Sequence, residues 1–239
     1  MKMRKIQTII AITVLIMTGA VVASAQNTIN KQIEIPTNMA RLQVIHNAAD
    51  PGAEVVDVYV NDDLFIDDFE FRTASGFVDV PAGTELVIGV APSNSGSVDD
   101  TIAGFPVTFD ANETYVAIAN GVLDPEMFAG NPDGMNIGFN LYAMNGIMEE
   151  SGNPDMVGII AFHGSTDAPT VDVTAKDGYP FGHLFNNLTY GYFSEYAMLP
   201  EDEYILYLSP DEMPFQIIAT YEVDLTGLGG GAAVVFASG

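Results

Sequence analysis

The 239-residue chain has no cysteine and no tryptophan, and only 7 of its residues are lysine or arginine. Without cysteine there is no disulfide framework, thiolate metal site, iron–sulfur cluster or cysteine nucleophile. The shortage of cations excludes a second group of functions. Against 32 Asp and Glu the formal net charge is −25, whereas a nucleic-acid partner requires a basic patch that releases counterions from phosphates. An anionic membrane surface is excluded on the same ground. Enzyme signatures are missing too: no G-x-S-x-G, H-E-x-x-H, phosphate loop or G-x-G-x-x-G occurs. No residue is assigned a catalytic role.

What is present begins with a core. Hydrophobic residues make up 48% of the chain, which separates it from disordered acidic tails. The start reads as an export signal. Lys2, Arg4 and Lys5 precede the almost wholly apolar run Ile6 to Val22, and Ala23-Ser24-Ala25 is the small-x-small pattern cut by a signal peptidase. A retained transmembrane anchor is the alternative, since Ile6 to Ala25 could just span a bilayer. Polar Gln26, Asn27 and Thr28 follow at once and favour cleavage after Ala25. Processing there leaves Lys31, Arg41, Arg72 and Lys176 as the lysines and arginines of this sequence. The expected location is secreted or at the cell surface.

The rest of the chain repeats itself. ARLQVIHN (40–47) and VGIIAFHG (157–164) are apolar runs with a histidine near the end, and an aspartate follows each four residues later: His46 with Asp50, His163 with Asp167. A V-D-V triplet comes next in both, centred on Asp57 and Asp172. FVDVPAGTELVIGVAP (77–92) then aligns with YAMLPEDEYILYLSP (196–210), and TYVAIANG (114–121) with AAVVFASG (232–239). Order and spacing are kept, so the chain holds two copies of one unit.

Each copy reads as all-β. Val55 to Val60, Phe77 to Val80 and Glu85 to Val90 alternate with the two-residue period of half-buried strands. Asn61-Asp62-Asp63, Pro81-Ala82-Gly83 and Asp110-Ala111-Asn112 supply turns, and only Pro125 to Ala129 suggests a turn of helix. Short strands at this spacing predict two tandem Ig-like antiparallel β-sandwiches. The expected boundaries are a signal peptide over 1–25, a linker over 26–38, a first sandwich over 39–147, a linker over 148–156 and a second sandwich over 157–239. Phe139 to Met144 reads as a strand following the first copy's closing run. The second copy has no counterpart before Gly239, which predicts a truncated sandwich with an open edge.

These motifs carry a resemblance. HNAAD, VDVYV and VPAGT in the first copy, with HGSTDAP, VDV and LPEDE in the second, resemble the domain-of-unknown-function family numbered 4397. NPDGMNIGFNLYAMNG resembles the segment that joins tandem copies in exported bacterial members. The second copy departs by carrying Pro-Glu-Asp for Pro-Ala-Gly. The resemblance implies an exported or surface-associated protein, in which an anchoring or sorting region beyond Gly239 is a feature of longer members. It implies no reaction.

Three sets of residues are candidates for chemistry. His46, Asp50 and Asp57, with His163, Asp167 and Asp172, have the atoms of a metal or acid–base site. Their recurrence favours a structural role, in which each histidine packs under a turn, Asp50 and Asp167 accept backbone N–H groups, and Asp57 and Asp172 point outward. Asp62, Asp63, Asp67 and Asp68 crowd one hairpin and could hold Ca²⁺, which takes six to eight oxygens. No D-x-[DN]-x-[DN]-G loop accompanies them, and the alternative is a solvated acidic surface. Tyr190, Tyr192 and Tyr196, placed on one face of a strand, would form a stacking platform for a glycan.

The leading expectation is a non-catalytic exported protein of sandwich modules, serving attachment, adhesion or spacing toward a surface polysaccharide or protein. It needs no cofactor unless the acids take Ca²⁺. A glycan- or Ca²⁺-binding module is the alternative. An extracellular hydrolase region comes third, because carboxylate pairs of the glycosidase kind are available.

Overall fold

The computed structural model describes residues 11–17, 38–178 and 182–239. Regular structure there is strand, apart from single 3-10 turns at Pro51–Ala53, Val98–Asp100, Pro125–Met127 and Lys176–Gly178. β1 is Ala11–Met17. The first repeat runs through β2 (Met39–Asn47), β3 (Val55–Val60), β4 (Asp63–Glu70), β5 (Thr73–Ala74), β6 (Val78–Pro81), β7 (Glu85–Pro92), β8 (Ala103–Thr108), β9 (Thr114–Asn120) and β10 (Asn140–Asn145). The second runs through β11 (Met156–His163), β12 (Val171–Ala175), β13 (His183–Leu188), β14 (Ala197–Pro200), β15 (Glu203–Pro210), β16 (Ala219–Asp224) and β17 (Ala232–Ser238).

Each repeat folds into two sheets with matching order. The outer sheets are β4-β3-β7-β8 and β13-β12-β15-β16, and the inner ones are β10-β9-β2-β5, with β6 also on β2, and β1-β17-β11-β14. An isolated bridge between Phe162 and Phe193 stands in the second repeat where β5 pairs with β2 in the first. The expectation of purely antiparallel sheets is corrected by one parallel pair per repeat, β2 with β9 and β11 with β17. Between those two strands the chain crosses the outer sheet and returns, entering both from the same end.

The inner sheets are buried on both faces, and this explains their continuous apolar sequences. In β9, Tyr115 and Ala117 face the first repeat's own core, whereas Val116 and Ile118 face the other repeat. In β17, Ala233 and Val235 face the second core and Val234 and Phe236 face the first repeat. β11 divides in the same way, with Ile160 and Phe162 turned toward the partner sheet. Among the outer strands, the edge strands β8 and β16 alternate between buried or half-buried and exposed residues. The described residues therefore form four β layers with a core between successive sheets, the middle one joining the repeats, and a small further cluster of Val122, Ile137 and Tyr190.

Polar contacts lock the same junction. Arg41 of β2 donates to both carboxylate oxygens of Glu149, at 2.9 and 2.8 Å, and Arg72 donates to the Ser238 hydroxyl at 3.1 Å. Asn47 donates to the Asn120 side-chain oxygen at 2.7 Å and to the Ala237 carbonyl at 3.1 Å.

The second repeat contributes no strand beyond β17 among the described residues, but its edge is not open. β1 pairs with β17 antiparallel, from Ala11 opposite Ser238 to Met17 opposite Ala232, at the position that β10 takes on β9. In the chain from Met1, β1 therefore covers the edge that the sequence reading leaves open. The basic residues 2–5 and the Ala23-Ser24-Ala25 motif lie outside the described residues.

Candidate functional site

The side chains of the repeated His/Asp motif bond mainly to backbone groups of their own and neighbouring turns. His46 and His163 end the first strand of each repeat, both 1% exposed. Nε2 of His46 lies 2.6 Å from the Ala53 carbonyl, and Nε2 of His163 lies 3.0 Å from that of Pro169. Each ring thus donates across the turn that follows it, with the proton on Nε2. Burial pushes both imidazoles below their ordinary pKa, only partly offset by those carbonyls. Asp50 accepts from the N–H groups of Gly52 (2.7 Å) and Leu123 (2.8 Å). Asp167 accepts instead from the Ser165 hydroxyl at 3.2 Å.

Asp57 and Asp172 do not point outward, which corrects the sequence reading; they are 2% and 4% exposed. Each accepts from the backbone N–H of a bulged residue on the neighbouring strand: Asp68 to Asp57 at 3.0 Å, and Asn187 to Asp172 at 2.9 Å. Asp68 and Asn187 have φ of 50° and 54°, and the register shifts beside both. A bulge leaves an N–H without its ladder partner, and the central Asp of V-D-V satisfies it. Period-two alternation cannot foresee this, because it places a polar residue on the solvent side by default.

The acidic hairpin divides in two. Asp57, Asp67 and Asp68 bring carboxylate oxygens within 4.8 Å of one another, whereas Asp62 and Asp63 lie at the hairpin turn, outside that group. Burial alone would raise the Asp57 carboxyl. The Ser95 hydroxyl at 2.5 Å and the Asp68 N–H outweigh it and hold the carboxyl below its usual value. Asp67 is pushed up, first by the charge of Asp68. The second repeat carries Asn186 and Asn187 at the positions of Asp67 and Asp68, so the acids are not needed for the bulge.

The predicted tyrosine platform is corrected in detail. Tyr190 and Tyr192 flank Gly191 in the turn after β13, and Tyr196 precedes β14; none of the three lies in a strand. Tyr196 closes the junction, its hydroxyl accepting the Met148 N–H at 2.8 Å. Tyr190 is buried and accepts from Asn120 at 3.0 Å, and burial, then the neighbouring Tyr142, pushes its phenol well above the ordinary value. Tyr192 stands 61% exposed.

Tyr190 and Tyr192 instead line a cleft of about 590 Å³ with residues of the first repeat, among them Asn136, Phe139, Asn140 and Tyr142. The turn is pinned to the end of β11, with Gly191 N–H donating to His163 at 2.8 Å and His163 N–H to Tyr192 at 3.1 Å. Gly191 has φ of +81°, and a Cβ there would stand 2.8 Å from the Tyr142 ring. Only glycine permits this close approach. No residue lining the cleft carries a charged side chain. Sequence reading missed Asn136, Phe139, Asn140 and Tyr142 as site residues, because their relation to the tyrosines exists only once the repeats pack together.

The chain is thus an all-β protein whose four sheets are consistent with two sandwich-like units, with an uncharged cleft lined from both. Residues 40–133 match the family described as Domain of unknown function (DUF4397), a stretch that runs from β2 into the loop before β10. No curated protein matches the chain.

Proposed function

We propose that this is an exported, non-catalytic attachment protein whose two immunoglobulin-like sandwiches hold a segment of a neutral surface polysaccharide in the cleft between them. One observation carries the reading: in a chain with 32 acids, the cleft presents tyrosine, phenylalanine and asparagine and no carboxylate. Aromatic rings cover the apolar face of a sugar, and side-chain amides both donate to and accept from its hydroxyls. A cation finds no countercharge among these residues, and an anionic polymer is repelled by the rest of the surface. The N-terminal leader motif supports export.

The test is a panel of neutral and anionic polysaccharides titrated against residues 26–239 in a calorimeter. A neutral glycan is expected to bind, with Tyr192→Ala weakening it about tenfold, or about 1.4 kcal/mol, at unchanged thermal stability. Binding confined to anionic polymers, or an indifferent Tyr192→Ala, contradicts the reading.

A second reading is favoured by the Asp57, Asp67 and Asp68 oxygens, which form a partial ligand set for Ca²⁺. An ion bound only to the folded state raises the unfolding midpoint by mass action, while screening of self-repulsion does not depend on which salt provides it. The midpoint is therefore expected to rise more in CaCl₂ than in NaCl of equal ionic strength, and Asp67→Asn is expected to remove the difference. Equal rises in the two salts leave the acids as a solvated surface.

A further inference from the structure

The tripeptide Asn-x-Ser/Thr, the acceptor pattern for N-linked glycan in exported chains, occurs at Asn112-Glu113-Thr114 and at Asn187-Leu188-Thr189. The surroundings of the two differ. Asp110, Ala111 and Asn112 form an exposed turn between β8 and β9. Asn112 has φ of 66° and is anchored through its backbone, its N–H donating to the Met39 carbonyl at 2.9 Å. Its side-chain amide has no hydrogen-bond partner among the described residues. Asp110, two residues earlier, adds a negative charge for a transferase to hold. Asn187 has neither feature. Phe185, two residues before it, is buried, and the Asn187 amide donates to Asp211 at 2.6 Å, while the Thr189 hydroxyl accepts from that of Thr170 at 3.1 Å. The repeat shows that the first turn does not require its tripeptide. At the same place between β16 and β17 the second copy reads LTGLGGG, and there Gly227 and Gly230 take the positive φ.

We propose that Asn112 is an N-glycan acceptor, modified as the chain is exported. This rests on the export reading given above. The donor is an oligosaccharide carried on a polyprenyl diphosphate. A bond forms between Nδ2 of Asn112 and the anomeric carbon of the donor, and the anomeric C–O bond breaks. Polyprenyl diphosphate leaves with the electron pair, the amide proton passes to a base of the transferase, and nothing is oxidised or reduced. The Thr114 hydroxyl and the Asp110 carboxylate are the handles for recognition. The fold sets the timing. Thr114 opens β9, paired with Arg41 of β2, and its carbonyl accepts the Ile147 N–H at 3.1 Å. Transfer therefore precedes the laying down of this strand, which passage through the membrane as an unfolded chain allows. After folding, the glycan projects from the exposed turn. β9 runs from Thr114 to Asn120, a length of about 20 Å, and Asn120 lies opposite Asn140 of the cleft. The glycan thus stands at the far end of the sheet and leaves the cleft open.

The test is intact-mass spectrometry of the chain from Met1, secreted by a bacterium that carries an oligosaccharyltransferase and the polyprenyl-diphosphate oligosaccharide. The exported protein is expected to gain the mass of one oligosaccharide. Asn112→Gly keeps the left-handed turn, and Thr114→Val keeps both the asparagine and the strand. Each should lose the added mass, whereas Asn187→Gln should keep it. A wild type without added mass, in cells that glycosylate a control acceptor, overturns the proposal. Added mass that survives Asn112→Gly or Thr114→Val also overturns it, as does a glycan mapped to Asn187. The same spectra read the N-terminus: a chain kept inside the cell with residues 1–25 attached refutes the export reading instead. The acceptor is then decided on that purified chain, refolded from urea in the presence of the transferase and its donor. Transfer to Asn112 upholds the proposal there, and no transfer overturns it.

Discussion

Replacing Phe162 by alanine is expected to destabilise the protein by about 3–5 kcal/mol, the range for removing a buried aromatic ring. Phe162 is 1% exposed. It sits on β11 but faces the first repeat, its ring 5.4 Å from that of Tyr142 and 4.8 Å from that of Phe193. Around it lie Ile45 and Ile118 from one repeat and Val234 and Phe236 from the other, in the middle core. Inner-sheet backbone on both sides limits collapse into the cavity, which places the expected loss in the upper part of the range. Urea denaturation followed by far-UV circular dichroism measures it. A loss under about 1 kcal/mol would mean that the two inner sheets do not depend on each other, and the junction would then be a contact rather than a core.

Acid is expected to act through the two motif histidines. Both are held neutral by burial, with pKa values below the ordinary 6.5. In the unfolded chain they titrate near 6.5, so below that pH the unfolded state binds more protons than the folded one. Stability is therefore fully present above about pH 6.5 and is lost as pH falls from there through the folded-state values. Each histidine can contribute up to about 1.4 kcal/mol per pH unit in that window, and the pair up to about 2.7 kcal/mol. Depression of the Asp57 carboxyl has the same sign but acts lower, below the carboxylate range. Unfolding free energies from pH 7.5 to 5 check this. The wild type should lose stability below pH 6.5, and a His46→Gln, His163→Gln double variant, less stable at pH 7.5, should show a much flatter profile. A wild-type profile flat to pH 5 would mean that the rings take up protons in the folded state as readily as in the unfolded one, and would contradict their depression.

The sequence revealed the repeat because two copies of one fold must reuse the same turns. His46 and His163 bond across equivalent turns, and Asp57 and Asp172 staple equivalent bulges, so recurrence marked positions that occupy the same place in both copies. Strand positions were legible for a related reason. Burial on both faces gives continuous runs, as in VGIIAFHG, whereas the alternation read in Val55 to Val60 comes from Asp57, which is buried on the second face all the same. What periodicity does not carry is which apolar face meets which. The back-to-back packing of the inner sheets depends on Ile45, Ile118, Phe162 and Phe236 meeting across the repeats, and no local pattern encodes that pairing. The cleft was missed for the same reason, since its tyrosine turn and its asparagines are far apart in the chain. Tyr192 could be singled out from sequence as an aromatic, but not as the exposed wall of a cleft.

The central claim is that the two repeats form one body through the middle core. Differential scanning calorimetry of residues 26–239 at pH 7.5 tests it most directly. One transition is expected, with a calorimetric enthalpy equal to the van't Hoff enthalpy, because neither inner sheet can expose its second apolar face without losing the other's cover. Two transitions, or a calorimetric enthalpy about twice the van't Hoff value, would show sandwiches that unfold independently and would contradict the account.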